Sequence, residues 1–174
     1  MNDLNKALVF VFKAEGGFCN DKNDRGGATN LGIIQREYDV WRKGKGLPTQ
    51  SVRNITKDEA TEIYTNEYWL AGKCDKMPWP VNLAHFDACV NTGVGQAAKF
   101  LQRVVKAQDD GIIGPGTLKA LGEACARDGA EEVARKIADM RIPFYNRLVE
   151  KDPTQEDFID GWHNRVKNLK EALV

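Results

Sequence analysis

The chain has 174 residues, of which 42% are hydrophobic and 29% are charged. That composition is typical of a globular protein and excludes an intrinsically disordered chain. The length suits one domain, or one domain with a small subdomain. Acidic and basic residues balance at 25 each, so no electrostatic attraction to nucleic acid or to an anionic membrane is expected.

The first predicted helix ends at a carboxylate. Apolar residues repeat at helical spacing over residues 4–14, and a Gly-Gly pair stops the helix directly after Glu15. A carboxylate at a helix C-terminus meets the negative end of the helix dipole, which disfavours its ionised form. Apolar neighbours such as Phe18 would add a desolvation cost. Glu15 is therefore predicted to hold a proton and to act as a general acid.

A second acid follows in a segment rich in Gly, Asn and Asp. Asp24 lies nine positions after Glu15, and the only candidate hairpin of the chain spans about residues 18–29. This fold-back would bring Asp24 across a cleft from Glu15. Two carboxyl groups flanking a cleft are the minimum equipment for hydrolysing a glycosidic bond. The alternative interpretation of the two acids is a solvated helix end and a turn residue.

The rest of the chain is predicted to be helical. Helices are expected at residues 33–43, 56–69, 81–92, 130–150 and 154–173. The second opens with a capping box, Thr56-Lys-Asp-Glu59, and the third carries polar Asp87 and Asn91 one turn apart. Pro143 should kink the helix in which it lies. The rigid turn Met-Pro-Trp-Pro ends at residue 80, and we take it as the boundary between two lobes, 1–80 and 81–174, packed as one compact unit.

The cysteines and histidines give no sign of a metal centre. The four cysteines lie far apart and form no C-x-x-C pair: Cys19, Cys74, Cys89 and Cys125. In a reducing compartment free, partly buried thiols are expected rather than disulfides or metal ligands. His85 and His163 are the only histidines, so no zinc site is predicted.

The segment around the two acids resembles the N-terminal motif of glycoside hydrolase family 108. The matching residues are Glu15-Gly-Gly-Phe, Asn20-Asp21, Asp24, Gly26-Gly27-Ala28-Thr29-Asn30 and Gly32-Ile33. The spacing of Glu, eight residues, Asp and then Thr is also similar to that of the phage-type lysozymes of a neighbouring family. In those lysozymes the Thr lies one residue further along the chain than Thr29 does here.

The second half resembles the peptidoglycan-binding portion that accompanies this family. The match includes the segment from Phe86 to Gly93 and extends to Arg165. It contains the string Asp-Gly-Ile-Ile-Gly-Pro-Gly-Thr at residues 110–117, which is a turn that starts a helix. This string could serve the fold alone or contribute to binding.

Family 108 comprises phage endolysins and secretion-associated N-acetylmuramidases. The resemblance implies a mainly α, lysozyme-like fold, with a small β-hairpin or loop carrying part of the active site and a helical C-terminal region. It also implies cleavage of the bond from N-acetylmuramic acid to N-acetylglucosamine in peptidoglycan, without cofactor or metal. Glu15 would be the general acid and Asp24 the general base or electrostatic stabiliser. Thr29 would hydrogen-bond the attacking water or Asp24.

Substrate contacts are expected from two groups of residues. Asn30, Gln35 and Asn91 are candidates for the acetamido and hydroxyl groups of the sugars. Tyr145 and Trp162 are candidates for stacking on the glycan or the stem peptide. The expected partners are peptidoglycan strands and no nucleic acid, and we expect a monomer.

The start of the sequence predicts the cellular location. The apolar run from Ala7 to Phe12 is too short for a signal peptide, and no stretch reaches the length of a membrane span. The protein is therefore expected to be cytoplasmic as synthesised and not inserted in the membrane. A holin pore or an export machinery would release it to act in the periplasm or cell wall.

Two other functions remain open at this level. A lytic transglycosylase cleaves the same bond with one Glu and an intramolecular attack, so it would not need Asp24. A non-catalytic wall-binding or secretion accessory protein would need neither acid. Between the two stereochemical outcomes of a hydrolase, the phage-type resemblance favours inversion, for which the carboxyl groups stand roughly 6.5–9.5 Å apart.

Overall fold

A computed structural model describes residues 1–19 and 28–173. Within these residues the fold is mainly α-helical, with one short antiparallel hairpin. The helices are α1 Asp3–Ala14, α2 Gln35–Gly44, α3 Lys57–Tyr64, α4 Val81–Thr92, α5 Val94–Val104, α6 Pro115–Asp128, α7 Ala130–Asp139, α8 Arg141–Lys151 and α9 Glu156–Ala172. The strands are β1 Thr29–Asn30 and β2 Ile33–Ile34. Asp24 lies outside the described residues, so its position relative to Glu15 stays a prediction.

Helix α1 ends where the sequence predicts. The Asn2 side chain caps its start by accepting a hydrogen bond from the Asn5 N–H at 2.9 Å. At the other end the Glu15 N–H donates to the Val11 carbonyl at 2.9 Å, and the Glu15 backbone is extended. The buried face of α1 consists of Ala7, Leu8 and Val11. The prediction that Glu15 stands at a helix C-terminus is confirmed.

The two ends of the predicted hairpin at residues 18–29 pair with each other. Cys19 and Thr29 exchange both backbone hydrogen bonds, at 2.9 and 2.8 Å. A regular hairpin of β1 and β2 follows directly, in a stretch where the sequence predicts the start of a helix. Leu31 and Gly32 form its turn with φ of 50° and 75°, the conformation that a two-residue hairpin requires. Helix α2 therefore begins at Gln35 and not at residue 33.

Helix α3 begins with the predicted capping box. Thr56 Oγ1 accepts from the Glu59 N–H at 3.2 Å, and Glu59 Oε2 accepts from the Thr56 N–H at 2.9 Å. Beyond Tyr64 the chain widens into a π-helical segment, Thr65–Leu70. Such segments are frequent at functional sites.

Helix α4 is the central helix of the fold. Every residue from Val81 to Cys89 is buried, and the helix packs against α1, α5 and α7. Its polar side chains therefore cannot reach bulk water and must find partners inside the protein. His85, Asp87 and Cys89 are the ionisable residues in this buried stretch.

The chain from 130 to 173 differs from the prediction at two points. The expected helix 130–150 is split at Met140 into α7 and α8. Pro143 lies in the first turn of α8, where no N–H is needed, so the proline follows a break and does not kink a continuous helix. Helix α9 begins at Glu156, because a 3₁₀ turn, Pro153–Gln155, precedes it.

The string at residues 110–117 has a clear structural role. Gln102, which is 1% exposed, donates from Nε2 to Asp110 Oδ1 at 2.8 Å and accepts from the Gly111 N–H at 2.9 Å. The turn then delivers Pro115 as the first residue of α6. These bonds favour the interpretation that the string serves the fold.

One continuous hydrophobic core contains residues from both predicted lobes, from Ala7 to Leu173. The division of the chain at residues 80 and 81 stays a prediction. Among the described residues, no helix combines the length and the apolar character that crossing a membrane requires.

Candidate active site

The carboxylate of Glu15 is held by an arginine from the last helix. Arg165 Nη1 donates to Glu15 Oε1 at 2.6 Å, and the Glu15 side chain is 19% exposed. The carboxylate is therefore sheltered but within reach of a ligand. The sequence predicts apolar neighbours such as Phe18 for this group, whereas the structure places a guanidinium beside it.

Arg165 is itself fixed by a fully buried aspartate on α4. Its Nε and Nη2 atoms donate to Asp87 Oδ1 at 3.0 and 2.8 Å. Arg141 Nη1 donates to the other oxygen of Asp87 at 2.5 Å, and both of these side chains are 0% exposed. The result is a charge row, which we define as Glu15, Arg165, Asp87 and Arg141. Acidic and basic side chains alternate along the row, and its fixed geometry orients Glu15.

The charge row controls the ionisation of its buried members. Burial alone would raise the pKa of the Asp87 carboxyl, but Arg141 and Arg165 outweigh that effect and lower the pKa. Burial likewise opposes the charge of Arg165, but Asp87 and Glu15 outweigh it and raise the pKa of the guanidinium. Arg165 therefore remains a cation beside Glu15 throughout the working pH range of an enzyme.

Gly32 and Tyr64 confine the second oxygen of Glu15. A methyl group on Gly32 would lie 2.6 Å from Glu15 Oε2 and in hard contact with the Tyr64 hydroxyl. That hydroxyl donates to the Leu31 carbonyl at 2.8 Å. Burial, and then the charge of Glu15, raise the pKa of Tyr64, so its phenol stays protonated. The hairpin turn is thus held against the carboxylate, and only glycine fits there.

Replacing Gly32 by alanine should therefore damage catalysis more than folding. The new methyl group must push the Glu15 carboxylate aside, and a misplacement of about 1 Å can lower a rate roughly a hundredfold. We expect a loss of about tenfold to a hundredfold in lytic rate for Gly32→Ala. Gly46→Ala is the matched control, because Gly46 also has positive φ, 69°, and a methyl group there meets no atom within 4 Å. Equal losses of activity in the two variants would contradict this account.

The other predicted site residues of the first half lie in the hairpin and at the start of α2. Thr29 is half-buried in β1 and pairs with Cys19 through its backbone. Asn30 Nδ2 donates to the carbonyls of Val52 and Arg53 at 3.3 and 2.9 Å. Gln35 Nε2 donates to the Gln50 carbonyl at 2.8 Å, and its Oε1 accepts from the Val52 N–H at 2.6 Å. The Asn30 amide thus holds the segment 50–53 against the hairpin, and the Gln35 amide holds it against the start of α2. Contact of these two side chains with sugars stays a prediction.

The candidates of the second half meet at one end of the charge row. Arg141 Nε donates to the Tyr145 hydroxyl at 2.9 Å, and this hydroxyl donates in turn to Asn91 Oδ1. The Trp162 ring stacks on Tyr145 at 4.9 Å and on Phe158 at 6.0 Å between centroids. Tyr145 is 1% exposed and Phe158 is 53% exposed. A ligand can therefore reach Phe158 and the half-buried Trp162, while Tyr145 supports the stack from behind.

A cleft of about 350 Å³ opens between α2 and the segment that follows α3, with its walls formed by Arg36, Glu37, Val40, Trp41, Ile63, Glu67 and Tyr68. Tyr68 donates to Glu37 Oε1 at 3.2 Å, and its ring lies 5.6 Å from that of Tyr64. Burial, and then Glu37, raise the pKa of Tyr68. Tyr64 therefore connects a wall of this cleft to the hairpin turn beside Glu15, while Glu15 itself does not line the cleft.

Several functional residues were not predicted from the sequence. Arg165, Asp87 and Arg141 are far apart in the chain; the family resemblance includes all three residues, and Asp87 and Asn91 lie one turn apart on a buried helix, but neither signal pairs them. The structure also gathers Cys74, His85 and Cys89 in the interior, with ligand atoms within 4.8 Å of one another. All four cysteines of the chain are free thiols.

A mainly α fold, a small hairpin and an acid at the end of the first helix define a lysozyme-like glycoside hydrolase. Residues 8–93 match the family described as Glycosyl hydrolase 108, and residues 96–167 match the Predicted Peptidoglycan domain. The solved structure entitled "Structure of Brucella abortus SagA" is 32% identical, with a TM-score of 0.81 over 98% of this chain and 93% of that one. The chain belongs to the glycosyl hydrolase 108 family. Together the two matches support a peptidoglycan hydrolase.

One curated relative carries a different name. The anthranilate phosphoribosyltransferase of Dechloromonas aromatica (strain RCB) is 31% identical over 121 residues, which are 67% of this chain and 33% of that protein. The chain thus spans about a third of the length of this curated relative. Because the match covers 33% of that protein, it does not indicate a phosphoribosyltransferase activity for this chain.

Proposed function

We propose that this protein is an N-acetylmuramidase that hydrolyses the β-1,4 bond from N-acetylmuramic acid to N-acetylglucosamine in peptidoglycan. The observation that carries the proposal is the setting of Glu15. Its Oε1 is fixed by Arg165 at 2.6 Å, its Oε2 faces the hairpin turn at Gly32, and Tyr64 connects that turn to Tyr68 in the wall of the cleft. One oxygen is thus anchored and the other is left to hold a proton.

In the proposed reaction, Glu15 gives the proton on Oε2 to the glycosidic oxygen while the bond to the anomeric carbon breaks. The N-acetylglucosamine side leaves as an alcohol. The guanidinium of Arg165 then stabilises the carboxylate that remains. Water attacks the anomeric carbon, and Asp24 takes its proton as general base, assisted by Thr29. No cofactor takes part in these steps.

The cleft beside Tyr68 supplies a site for a sugar unit. Its volume of about 350 Å³ is at the small end of ligand pockets. Arg36 and Glu37 offer polar contacts along its wall. The indole Nε1 of Trp41 is buried there, and no described residue accepts a hydrogen bond from it. We assign the recognition of acetamido and hydroxyl groups to this wall, together with Asn30, Gln35 and Asn91.

The role of Asp24 separates the hydrolase from a lytic transglycosylase. We expect Asp24→Asn to lower hydrolysis at least tenfold while leaving wall binding unchanged, because only the activation of water is lost. The measurement is the release of reducing ends from purified cell walls, with mass spectrometry of the products. Asp58→Asn, at an exposed aspartate of α3, is the control. A variant that keeps its rate and yields 1,6-anhydro ends would assign the reaction to Glu15 alone.

The exposed aromatic stack is proposed as the wall-binding contact of the second half. Phe158 is 53% exposed and lies against Trp162, so a sugar or stem peptide can cover it. We expect Phe158→Ala to weaken binding to insoluble peptidoglycan about tenfold, which corresponds to about 1.4 kcal/mol. Ile112→Ala removes an apolar side chain that is 71% exposed elsewhere on the surface and should leave binding unchanged. If both variants bind like the wild type in a pull-down, the stack is not the contact.

The biological setting follows from the substrate. The protein would act in the periplasm or cell wall as a monomer, after release through a holin pore or an export machinery. Bacteriolysis by an endolysin and local wall opening for protein secretion both use this chemistry. A non-catalytic accessory protein is the remaining alternative, and it predicts that loss of the Glu15 proton changes nothing.

A further inference from the structure

Three potential metal ligands meet in the interior of the protein. Cys74 begins the 3₁₀ turn Cys74–Lys76, and His85 and Cys89 lie one turn apart on α4. All three residues are 0% exposed. Their ligand atoms lie within 4.8 Å of one another. None of these side chains takes part in the proposed glycosidase chemistry.

The imidazole of His85 is oriented like that of a metal ligand. Its Nε2 lies 3.1 Å from the carbonyl oxygen of Gly72, so the proton belongs on Nε2 and the lone pair on Nδ1. Nδ1 is buried, and the Cys89 thiol is the side chain beside it among the described residues. Metal-binding histidines characteristically donate their second ring N–H to a backbone carbonyl, which fixes the tautomer and the ring.

The backbone closes this cluster at Gly72. A methyl group on Gly72 would lie 2.8 Å from Cys89 Sγ and 3.4 Å from Cys74 Sγ. The chain thus passes directly over the two sulfurs, and glycine leaves the room that they need. Two thiols, an imidazole nitrogen and the backbone at Gly72 thus lie close together.

We propose that Cys74, His85 and Cys89 bind one soft metal ion of the Zn²⁺ or Cu⁺ class. Zinc–sulfur bonds of about 2.3 Å and zinc–nitrogen bonds of about 2.0 Å place ligand atoms roughly 3.5–4 Å apart, and the ligand atoms of the cluster lie within 4.8 Å of one another. Thiolate and imidazole ligands select soft ions over Mg²⁺ or Ca²⁺. The ion would be held by two thiolates and a neutral imidazole, and the protons that these groups carry pass to solvent on binding.

The site would stabilise one wall of the cleft. Gly72 donates its N–H to the Tyr68 carbonyl at 2.9 Å, and Tyr68 lines the cleft between α2 and the segment that follows α3. A metal ion that joins Cys74 to α4 would therefore hold the end of the π-helical segment on the central helix. Its effect on the protein would be structural, because the site is closed to solvent.

The test uses the full chain with Cys19 and Cys125 replaced by serine, so that Cys74 and Cys89 are the only thiols. The protein is fully reduced, treated with a chelator and titrated with Zn²⁺ by calorimetry. A parallel titration with Cd²⁺ follows the ultraviolet thiolate-to-metal absorption. We expect one ion per chain, release of two protons and a rise in Tm. In the same background Cys74→Ser should weaken Zn²⁺ binding more than about a hundredfold, because even changes outside the ligand set cost roughly tenfold to a hundredfold.

The titration of the two-thiol protein decides the question, even if Cys74→Ser does not fold. Absence of Zn²⁺ uptake by the folded, fully reduced protein would overturn the proposal. Uptake without the thiolate absorption of Cd²⁺ would overturn it as well. Muramidase activity need not be measured, so failure of this site and failure of the proposed reaction are separate outcomes.

Discussion

Replacing Glu15 by glutamine is expected to lower the lytic rate by roughly a hundredfold to ten-thousandfold, the usual contribution of general acid catalysis. Glutamine keeps an oxygen that can accept the hydrogen bond from Arg165, at 2.6 Å in the wild type. It also keeps the size that fits against Gly32. What it loses is the proton on the second oxygen. The measurement is a turbidity assay on purified cell walls stripped of outer membrane, together with a wall pull-down.

The control for this variant is Glu62→Gln. Glu62 pairs with Lys45 on the surface, and its side chain is 40% exposed, so the same chemical change there should leave the rate intact. A Glu15→Gln protein that binds walls normally and lyses them at the wild-type rate would refute the proposed acid. It would also favour the non-catalytic accessory protein.

The second large effect is expected on stability. Asp87→Asn should lower the free energy of unfolding by about 3–5 kcal/mol, because it leaves two guanidinium groups without their buried counter-charge. Urea unfolding followed by circular dichroism measures the loss. Asp139→Asn is the matched control, since its ion pair with Lys170 is exposed on both sides, at 56% and 37%. Such surface pairs contribute about 0–1 kcal/mol.

The pH dependence of this difference has a defined sign. The pKa of Asp87 is lower in the folded protein than in the unfolded chain, because Arg141 and Arg165 outweigh the effect of burial. The contribution of the Asp87 carboxylate to the free energy of unfolding is therefore complete above the pKa of the unfolded chain, about 3.9. It is lost as the pH falls through the lower pKa of the folded protein. The stability gap between wild type and Asp87→Asn should narrow below about pH 4. A gap that widens on acidification would contradict the charge row.

Local signals in the sequence were sufficient for several elements. The Gly-Gly pair after Glu15, the capping box at Thr56 and the apolar stretch from Val81 to Thr92 each depend on neighbours within a turn or two, and the structure confirms them. The hairpin turn was missed because Leu31 adopts a positive φ, 50°, that its residue type does not indicate. The sequence predicted a kink at Pro143 and missed the break at Met140, because a proline is tolerated in the first turn of a helix.

Long-range pairing explains what the sequence could not predict at the site. Asp87 and Asn91 were visible as polar residues on a buried helix, which requires partners. Nothing local, however, identifies Arg165 as a partner 78 residues from Asp87 and 150 residues from Glu15. Cys74, His85 and Cys89 were judged on their sequence spacing, and only the fold shows that they lie together. The contacts at the candidate site thus join residues that are far apart in the sequence.

The pairing of Glu15 with Arg165 limits how this protein can be recombined. The acid belongs to the region that matches the hydrolase family, whereas the arginine belongs to the region that matches the peptidoglycan domain. A chimera that exchanges the second region for another wall-binding module would leave Glu15 without its cation and Asp87 without either of its guanidinium partners, because Arg141 and Arg165 both lie in that region. The two regions are therefore not interchangeable parts. A functional exchange has to carry an equivalent of α9, with its arginine facing the end of α1.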